Sequence, residues 1–389
     1  MTKKDFLPHL LLAIGMSCNA QFINKGELGL FNEKLFIKDE FINDNNSTVI
    51  NDGMFYFNNN FINKNDFLYI NGGNSYFIGN NTVSIYSTEG KGITNFYNII
   101  FDNKSFKDIF VFNEFIINNE AFFYNGIINN NKSIIFNKES KAFNTNDLSY
   151  IRNYVSKLGN NDFDCPIGDS DINYSNYLTI KFDDKNDLAD FKYNLKSTLI
   201  FPHDKKNISV KEINKLEYFE IKNSNLKKAD FSLKINPKNI SINVLNELYG
   251  TDLGIVYYSF SQKKWLPIGG DIQSNTISVK NILLEDGIYT LGRIFNEDKA
   301  LNDLVVFNAV SKSRNGQNDK LFIRDINSFP DNDITIYNRY GNQIYYKKNY
   351  INETGWDGQS EESGTYYYIL NFKTQNGEIQ SKKGFIQLN

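Results

Sequence analysis

The sequence predicts an all-β protein with an N-terminal β-solenoid-like, Asn-rich repeat region, a middle antiparallel β-sandwich and a C-terminal β-sandwich. Short aromatic and β-branched runs alternate with Asn, Asp and Gly, as in strands joined by turns. A three-residue motif recurs near the N-terminus, and the last part of the chain shows period-2 alternation. A length of 389 residues allows two or three domains. We assign residues 1–20 to a signal peptide, 21–150 to the repeat region, 151–298 to the middle sandwich and 305–389 to the C-terminal domain.

The first twenty residues have the layout of a secretory signal peptide. Lys3 and Lys4 form a short basic region, and the stretch from Phe6 to Met16 is mostly apolar. Small residues follow it, so we predict cleavage between Ala20 and Gln21. The apolar stretch is far too short to span a bilayer, and no other stretch has the length and apolarity of a membrane helix. The sequence therefore predicts no transmembrane segment.

The cysteine and histidine content limits the chemistry of the exported chain. Cys18 lies in the signal peptide, and a lipoprotein signal acylated at this residue is the alternative, although Gly15 stands where such signals prefer a bulky aliphatic residue. Cleavage leaves Cys165 as the only Cys and His203 as the only His, so we expect no intramolecular disulfide and no His-rich metal site. A net charge of −3 and a pI of about 5.7 give no basic field, so no nucleic-acid partner is expected.

The Asn-rich region predicts a parallel β-solenoid. Phe41-Ile-Asn43 recurs as Phe61-Ile-Asn63, an offset of 20 residues, and a repeat near this length is what one solenoid turn requires. We expect apolar residues, Phe61 and Ile62 among them, to fill the interior, and Asn residues to occupy corners and stack along successive turns. The density of aromatics and isoleucines between the Asn runs argues against disorder. A meandering β-sandwich is the alternative topology.

The middle region predicts an antiparallel sandwich. Stretches such as Tyr177–Phe182, Leu216–Ile221 and Ala229–Ile235 read as short strands separated by turn residues. Trp265 has the chemistry to stack on a sugar ring, but aromatic side chains dominate β-sandwich interiors, so we expect it in the core. The charged stretch from Asn296 to Leu304 predicts a joint before the C-terminal domain.

The C-terminal residues predict a β-meander. The stretch from Ile334 to Arg339 alternates in a strand pattern, and Gly341-Asn342 predicts the turn that follows. Trp356-Asp-Gly358 predicts an aromatic packing anchor entering a turn, with the glycine in a conformation that a Cβ resists. Gly364 to Phe372 and Lys383 to Leu388 predict the last two strands.

This C-terminal stretch resembles the gliding-motility-associated C-terminal domain of Bacteroidetes, which is the type B sorting domain of the type IX secretion system. The family usually has Pro-Asn-Gly-Asp-Gly where this chain has Lys312-Ser-Arg-Asn-Gly316. The resemblance implies an Ig-like β-sandwich sorting domain. It assigns to the sorting motif Asn318, Asp319, Tyr337, Asn338, Arg339, Gly341, Trp356, Asp357, Gly358, Gly364 and Tyr366.

The same resemblance implies partners and a location. Proteins with this type of domain pass the outer membrane through the type IX secretion translocon. They are often retained at the cell surface, associated with the outer membrane, through small barrels of the PorP/SprF kind in the setting of gliding and adhesion. An extracellular or cell-surface location after signal-peptide cleavage is therefore the expectation for this chain.

Acidic clusters are the nearest approach to a catalytic or metal site. Asp162, Asp164, Asp169 and Asp171 lie close in sequence, but they lack the Gly and terminal Glu of an EF-hand loop. The chain has no phosphate-binding Gly loop and no Gly-x-Ser-x-Gly elbow. We therefore expect no enzyme activity and no cofactor, with adventitious Ca²⁺ binding as the alternative.

Two functions fit these features. The first is a non-enzymatic adhesion- or gliding-associated structural or binding module, and the alternative is a secreted glycan-binding or carbohydrate-active solenoid protein. A solenoid face with clustered carboxylates or stacked exposed aromatics would favour the alternative. For the sorting domain we hypothesise that Arg339 and Tyr337 lie in the docking surface read by the secretion machinery or its barrel partner, because Arg is favoured at interfaces.

Overall fold

The computed structural model describes residues 21–87, 92–104, 108–169 and 178–389. The predicted signal peptide and its cleavage site at Ala20 lie outside or at the border of these residues, and Asp171 lies outside them. The fold is mostly β, with an N-terminal solenoid of about six turns and a β-rich C-terminal domain, which confirms the predicted fold class. The chain forms two compact units: one comprises residues up to Tyr193 with Lys222–Ala229, and the other comprises Asn194–Ile221 and Asp230–Asn389.

The first unit contains the solenoid, whose turns are joined by parallel pairing. One sheet has the order β1-β3-β5-β8-β10-β12, and a second runs β2-β4-β7-β9-β11-β13-β15, with β6 beside β4 and β14 beside β11. The strands are β1 (Phe22–Asn24), β2 (Glu27–Ile37), β3 (Phe41–Asn43), β4 (Thr48–Phe57), β5 (Phe61–Asn63), β6 (Asp66–Leu68), β7 (Asn74–Gly79), β8 (Val83–Tyr86), β9 (Asn95–Asn103), β10 (Ile109–Phe112), β11 (Phe115–Asn125), β12 (Ile128–Asn130), β13 (Ile134–Phe136), β14 (Lys141–Phe143) and β15 (Val155–Leu158).

Side chains of equivalent positions stack inside the solenoid. Phe41 pairs with Phe61 in the parallel register, and their ring centroids are 5.6 Å apart. Asn43 donates to Asn63 Oδ1 at 2.7 Å, which confirms the predicted Asn stack at a corner. The expectation that Ile62 lies in the interior is wrong, because the period of 2 turns it outward while Phe61 and Asn63 point inward.

The solenoid is followed in the first unit by antiparallel strands. β16 (Phe163–Asp164) pairs with β17 (Leu178–Phe182), and β18 (Leu188–Asn194) pairs with β15 from Leu188 to Phe191. This change from parallel to antiparallel pairing ends the stacking of turns.

The first part of the second unit is largely antiparallel. β26 lies between β20 and β22, β22 also pairs with β23, and β24 forms a hairpin with β25. The predicted core position of Trp265 is confirmed, since its side chain is fully buried. The strands and helix are β19 (Val210–Ile213), β20 (Tyr218–Lys222), β21 (Lys227–Lys234), α1 (Ile242–Leu245), β22 (Thr251–Ser259), β23 (Lys264–Gly269), β24 (Asp271–Gln273), β25 (Thr276–Leu284) and β26 (Gly287–Phe295).

The C-terminal domain follows the short helix α2 (Glu297–Asp303). Its main sheet has the order β28-β33-β32-β30-β31, and a second pair joins β27 to β29. Every pair in the main sheet is antiparallel except β28 with β33. The strands are β27 (Val305–Val306), β28 (Ala309–Val310), β29 (Ile323–Arg324), β30 (Asn332–Tyr337), β31 (Gln343–Lys348), β32 (Gly364–Lys373) and β33 (Ile379–Leu388).

Short 3₁₀ segments occur at Thr198–Ile200, Pro237–Asn239, Ile326–Ser328 and Asn352–Thr354. Among the residues described, no helix has both the length and the apolarity needed to cross a membrane.

Candidate recognition surfaces

The turn between β30 and β31 presents Arg339. The Asn338 side chain accepts hydrogen bonds from the backbone N–H groups of Tyr340 and Asn342, both at 3.0 Å. Gly341 has φ = +82°, a left-handed conformation that favours glycine. The expectation that the strand extends to Arg339 is wrong: β30 ends at Tyr337, because Asn338 caps the turn with its own side chain. Arg339 therefore lies on an exposed turn.

A cross-strand aromatic row lies beside this turn on the outer face of the sheet. Tyr337 is directly opposite Tyr367, and Tyr367 is opposite Phe385. Side chains of directly opposed residues share one face of a sheet. Tyr367 and Phe385 are each 51% exposed, although both are large aromatic residues.

These residues line an open groove of about 580 Å³, here called the sheet groove. Ile369 and Lys383 lie opposite each other in the next row and continue the same face. Gly384 makes room for the Tyr368 ring, since a Cβ at this position would lie 2.7 Å from the Tyr368 hydroxyl. The residues that line the groove are Tyr337, Asn338, Arg339, Gly341, Tyr367, Tyr368, Ile369, Lys383, Gly384 and Phe385.

The sheet groove has a positive rim and no acidic lining residue. The guanidinium carbon of Arg339 lies 4.9 Å from the Tyr340 ring centroid. Among the described residues, neither Arg339 nor Lys383 has an ion pair within 4.0 Å or a side-chain hydrogen bond. Burial raises the pKa of the Tyr368 hydroxyl, so this residue is neutral at physiological pH.

The Trp356-Asp-Gly block belongs to the core rather than to this groove. Trp356 packs edge to face on Tyr366 with ring centroids 5.4 Å apart, and the Tyr366 hydroxyl donates to the Glu362 carbonyl at 2.6 Å. Gly358 has φ = +64°, and a Cβ there would collide with the Leu388 side chain. This block therefore packs against the end of the final strand within the core of the domain.

The remaining motif residues shape loops. The Asn318 carbonyl accepts from Ser311 N–H at 2.8 Å, and Asp319 Oδ2 accepts from Gly316 N–H at 2.9 Å. Asp357 Oδ1 accepts from Gln359 N–H at 3.2 Å, and Gly364 begins β32. The structure thus brings Tyr337, Asn338, Arg339 and Gly341 together at the groove and places the other motif residues elsewhere.

Sequence reasoning missed six of the ten groove residues, which are Tyr367, Tyr368, Ile369, Lys383, Gly384 and Phe385. Period-2 alternation within Gly364 to Phe372 would have placed Tyr367 and Ile369 on one face. Pairing them with Lys383 and Phe385 requires the strand register, which the sequence does not state.

A second surface is an aromatic stripe on the outer face of the solenoid. Its residues occupy equivalent positions of successive turns, and Tyr56 and Tyr76 are stacked with centroids 4.4 Å apart. Phe36 is 57% exposed at one end of the stripe. Following the parallel registers, the stripe comprises Phe36, Tyr56, Tyr76, Phe122 and Phe143, with the buried Ile100 standing between Tyr76 and Phe122.

The acidic cluster after the solenoid is only partly described. Asp162 lies 3.5 Å from the Lys181 ammonium group, and Asp164 accepts a hydrogen bond from Thr179 at 2.7 Å. Nowhere in the described ranges do three His, Cys, Asp or Glu side chains converge as a metal-binding group would.

Comparison with known proteins assigns the C-terminal domain. Residues 304–388 match the family described as the type IX secretion signal domain. No curated protein and no solved structure matches the chain. The match coincides with the domain that carries the sheet groove, and such a domain interacts with the secretion machinery. Residues 304–388 are therefore a type IX secretion signal domain, which indicates that this protein is exported from the cell by the type IX secretion system.

Proposed function

We propose that the protein is a non-enzymatic module displayed at the cell surface, with an adhesion- or gliding-associated role, and that its C-terminal domain holds it at the outer membrane. The partner in this proposal is an outer-membrane barrel of the PorP/SprF type. The non-enzymatic part of the proposal rests on the sequence, in which no catalytic motif is recognisable.

The observation that carries the proposal is the sheet groove. Soluble proteins rarely leave contiguous aromatic surface uncovered, and patches of this kind commonly mark interaction sites. Here Tyr367 and Phe385 are half exposed beside Arg339, whose turn is fixed by Asn338 and Gly341. Aromatic residues and Arg are enriched in interfaces. A surface so built supports docking of the domain on a partner after export.

The solenoid stripe supports a second candidate function, which is glycan binding. Aromatic side chains stacked along a solenoid are the feature that favours this function. The stripe's rings pack largely on one another, as Tyr56 does on Tyr76. Their faces are therefore partly used within the stripe, and sugar stacking would depend on exposed end residues such as Phe36 and Phe143. For this reason we rank surface retention through the groove first and glycan binding second.

Two substitutions test the proposed function. Trp356→Ala removes a core side chain and should cost about 3–5 kcal/mol of domain stability, so we expect loss of export. Arg339→Ala removes an exposed side chain without ion pairs in the described part of the chain, so the melting temperature should stay nearly unchanged while surface retention falls. The measurement is the distribution of the protein between periplasm, cell surface and medium.

Lys347→Ala is the matched control, because Lys347 is an exposed cation on β31 outside the groove. We expect it to be exported and retained like the parent. Normal retention of the Arg339→Ala protein would show that the docking face lies elsewhere.

A further inference from the structure

The sheet groove combines two chemical features that a partner must satisfy together. Its floor is aromatic, with Tyr337, Tyr367 and Phe385 in one cross-strand row. Its rim carries the cations Arg339 and Lys383, and none of its lining residues is Asp or Glu. An occupant therefore needs apolar surface and negative charge within the same short stretch.

The two cations are available for such an occupant. In the part of the chain that the structure describes, neither is neutralised by a carboxylate within 4.0 Å. Both side chains are exposed, so their charges stay hydrated and the free-energy cost of desolvation arises only when a partner covers them. When a partner covers the pair beside the aromatic floor, water screens the attraction between guanidinium and carboxylate less than it does in open solvent.

We propose that the sheet groove binds a segment of a partner protein in which an acidic side chain stands beside an apolar one. The apolar side chain packs against Tyr367 and Phe385, and the carboxylate accepts hydrogen bonds from the Arg339 guanidinium. Lys383, which is paired with Ile369 in the next row, attracts a second negative charge on the partner segment. The open groove, with a volume of about 580 Å³, has room for a short stretch of side chains laid across its surface.

This inference rests on the proposed function, because it names the chemistry of the partner at the same surface. It goes further in requiring negative charge on the partner. A partner that used only the aromatic floor would be indifferent to reversal of the rim charge.

The test is binding of three fluorescein-labelled peptides to the purified full-length protein, measured by fluorescence anisotropy. The peptides Gly-Phe-Glu-Leu-Glu-Gly, Gly-Phe-Gln-Leu-Gln-Gly and Gly-Phe-Lys-Leu-Lys-Gly differ only in charge. We expect the acidic peptide to bind tightest and the basic one weakest, with the preference fading as salt is raised. Arg339→Gln should raise the Kd for the acidic peptide by about two- to fivefold, which is the range expected for the loss of one partly exposed ion pair.

Charge reversal makes the test sharper. Arg339→Glu should favour the basic peptide over the acidic one, whereas Lys347→Gln, on the edge strand outside the groove, should leave the order unchanged. Equal binding of the three peptides, or an unchanged order in the Arg339→Glu protein, overturns the inference. So does Arg339-dependent binding to vesicles containing phosphatidylglycerol without any peptide preference, because the anion would then be a lipid headgroup.

The outcome is separable from that of the proposed function. Loss of surface retention in the Arg339→Ala protein without an acidic-peptide preference would leave the proposed function standing and remove this inference. An acidic-peptide preference with normal retention would do the reverse.

Discussion

At the scale of single residues, the buried ammonium group of Lys157 is the least expected feature of the solenoid. Its side chain is fully buried, and its Nζ donates to the carbonyls of Asn137 and Lys138 at 2.7 and 2.9 Å. The same Nζ lies 5.1 Å from the Phe163 ring centroid. Lys157 therefore satisfies carbonyl groups of the segment that follows β13, the strand with which its own strand β15 pairs in parallel.

Lys157 should make the stability of the protein depend on pH. Burial lowers its pKa to about 7, whereas the pKa of an unfolded Lys is about 10.4. Between these values the unfolded chain binds the extra proton, so the free energy of unfolding should fall as pH is lowered from about 10 to about 7 and level off below. In Lys157→Met this part of the slope should disappear in urea unfolding measured across that range.

Lys138→Met provides the comparison, since Lys138 is a neighbouring lysine whose ammonium group bonds the exposed side chain of Asn186. Its pH slope should match that of the parent. An unchanged slope in Lys157→Met would mean that Lys157 is charged in both states throughout the range.

At the scale of the element, β5 is one strand of a solenoid turn, and its successive side chains point alternately into the interior and outward. In β5, Phe61 and Asn63 are buried and Ile62 is half exposed. Phe61 touches rings above, below and across the interior, including Phe41, Phe57 and Phe67. The buried amide of Asn63 is satisfied by Asn43 and by Thr94 Oγ1 at 2.7 Å. Packing and polar satisfaction therefore alternate along a single strand.

This alternation predicts unequal effects of neighbouring substitutions. Phe61→Ala should destabilise the protein by about 3–5 kcal/mol, because it empties a buried position surrounded by rings. Ile62→Ala should cost clearly less, because its side chain is half exposed. Chemical denaturation of the two variants gives the comparison. Similar losses in both would contradict the register described for β5.

At the scale of the whole molecule, the secretion signal domain packs with residues that precede its family match. Ala300 is buried in the same core as Trp356 and Leu388, and the partly buried Leu301 packs against that core. The Lys382 ammonium group donates to the Leu301 carbonyl at 3.2 Å. The predicted joint is therefore largely the helix α2, and part of it belongs to the core of the C-terminal domain.

This packing sets where the domain can be removed. Deletion of residues 297–389 leaves β26 intact, so we expect a folded remainder that is no longer exported and stays in the periplasm. Deletion of residues 305–389 leaves Ala300 and Leu304 in the chain but removes the residues that bury them. Their apolar side chains would then be exposed, so this product should be less soluble. Cell fractionation and thermal melting measure both results. If the protein that lacks residues 297–389 were found outside the cell in normal amounts, the assignment of export to this domain would be contradicted.

Local features of the sequence determined the class of each part. A repeat of 20 residues around Phe41 and Phe61 predicts stacked turns, because one turn pairs with the next at a fixed offset. Asn338 and Gly341 predict the turn near Arg339, because Asn bonds its own backbone and Gly accepts positive φ. The order of motifs up to Lys383 was sufficient to recognise the secretion signal domain.

The tertiary structure alone decided which side chains meet. Tyr337, Tyr367 and Phe385 form one row because three strands pair in a particular register, and a shift by one residue would turn each to the other face. The burial of Lys157 likewise depends on the pairing of β15 with β13, which brings its ammonium group to the carbonyls of Asn137 and Lys138. Such contacts join residues far apart in the chain, so no local pattern specifies them. The groove and its charge are consequently properties of the fold, whereas the domain that carries them can be recognised from the sequence alone.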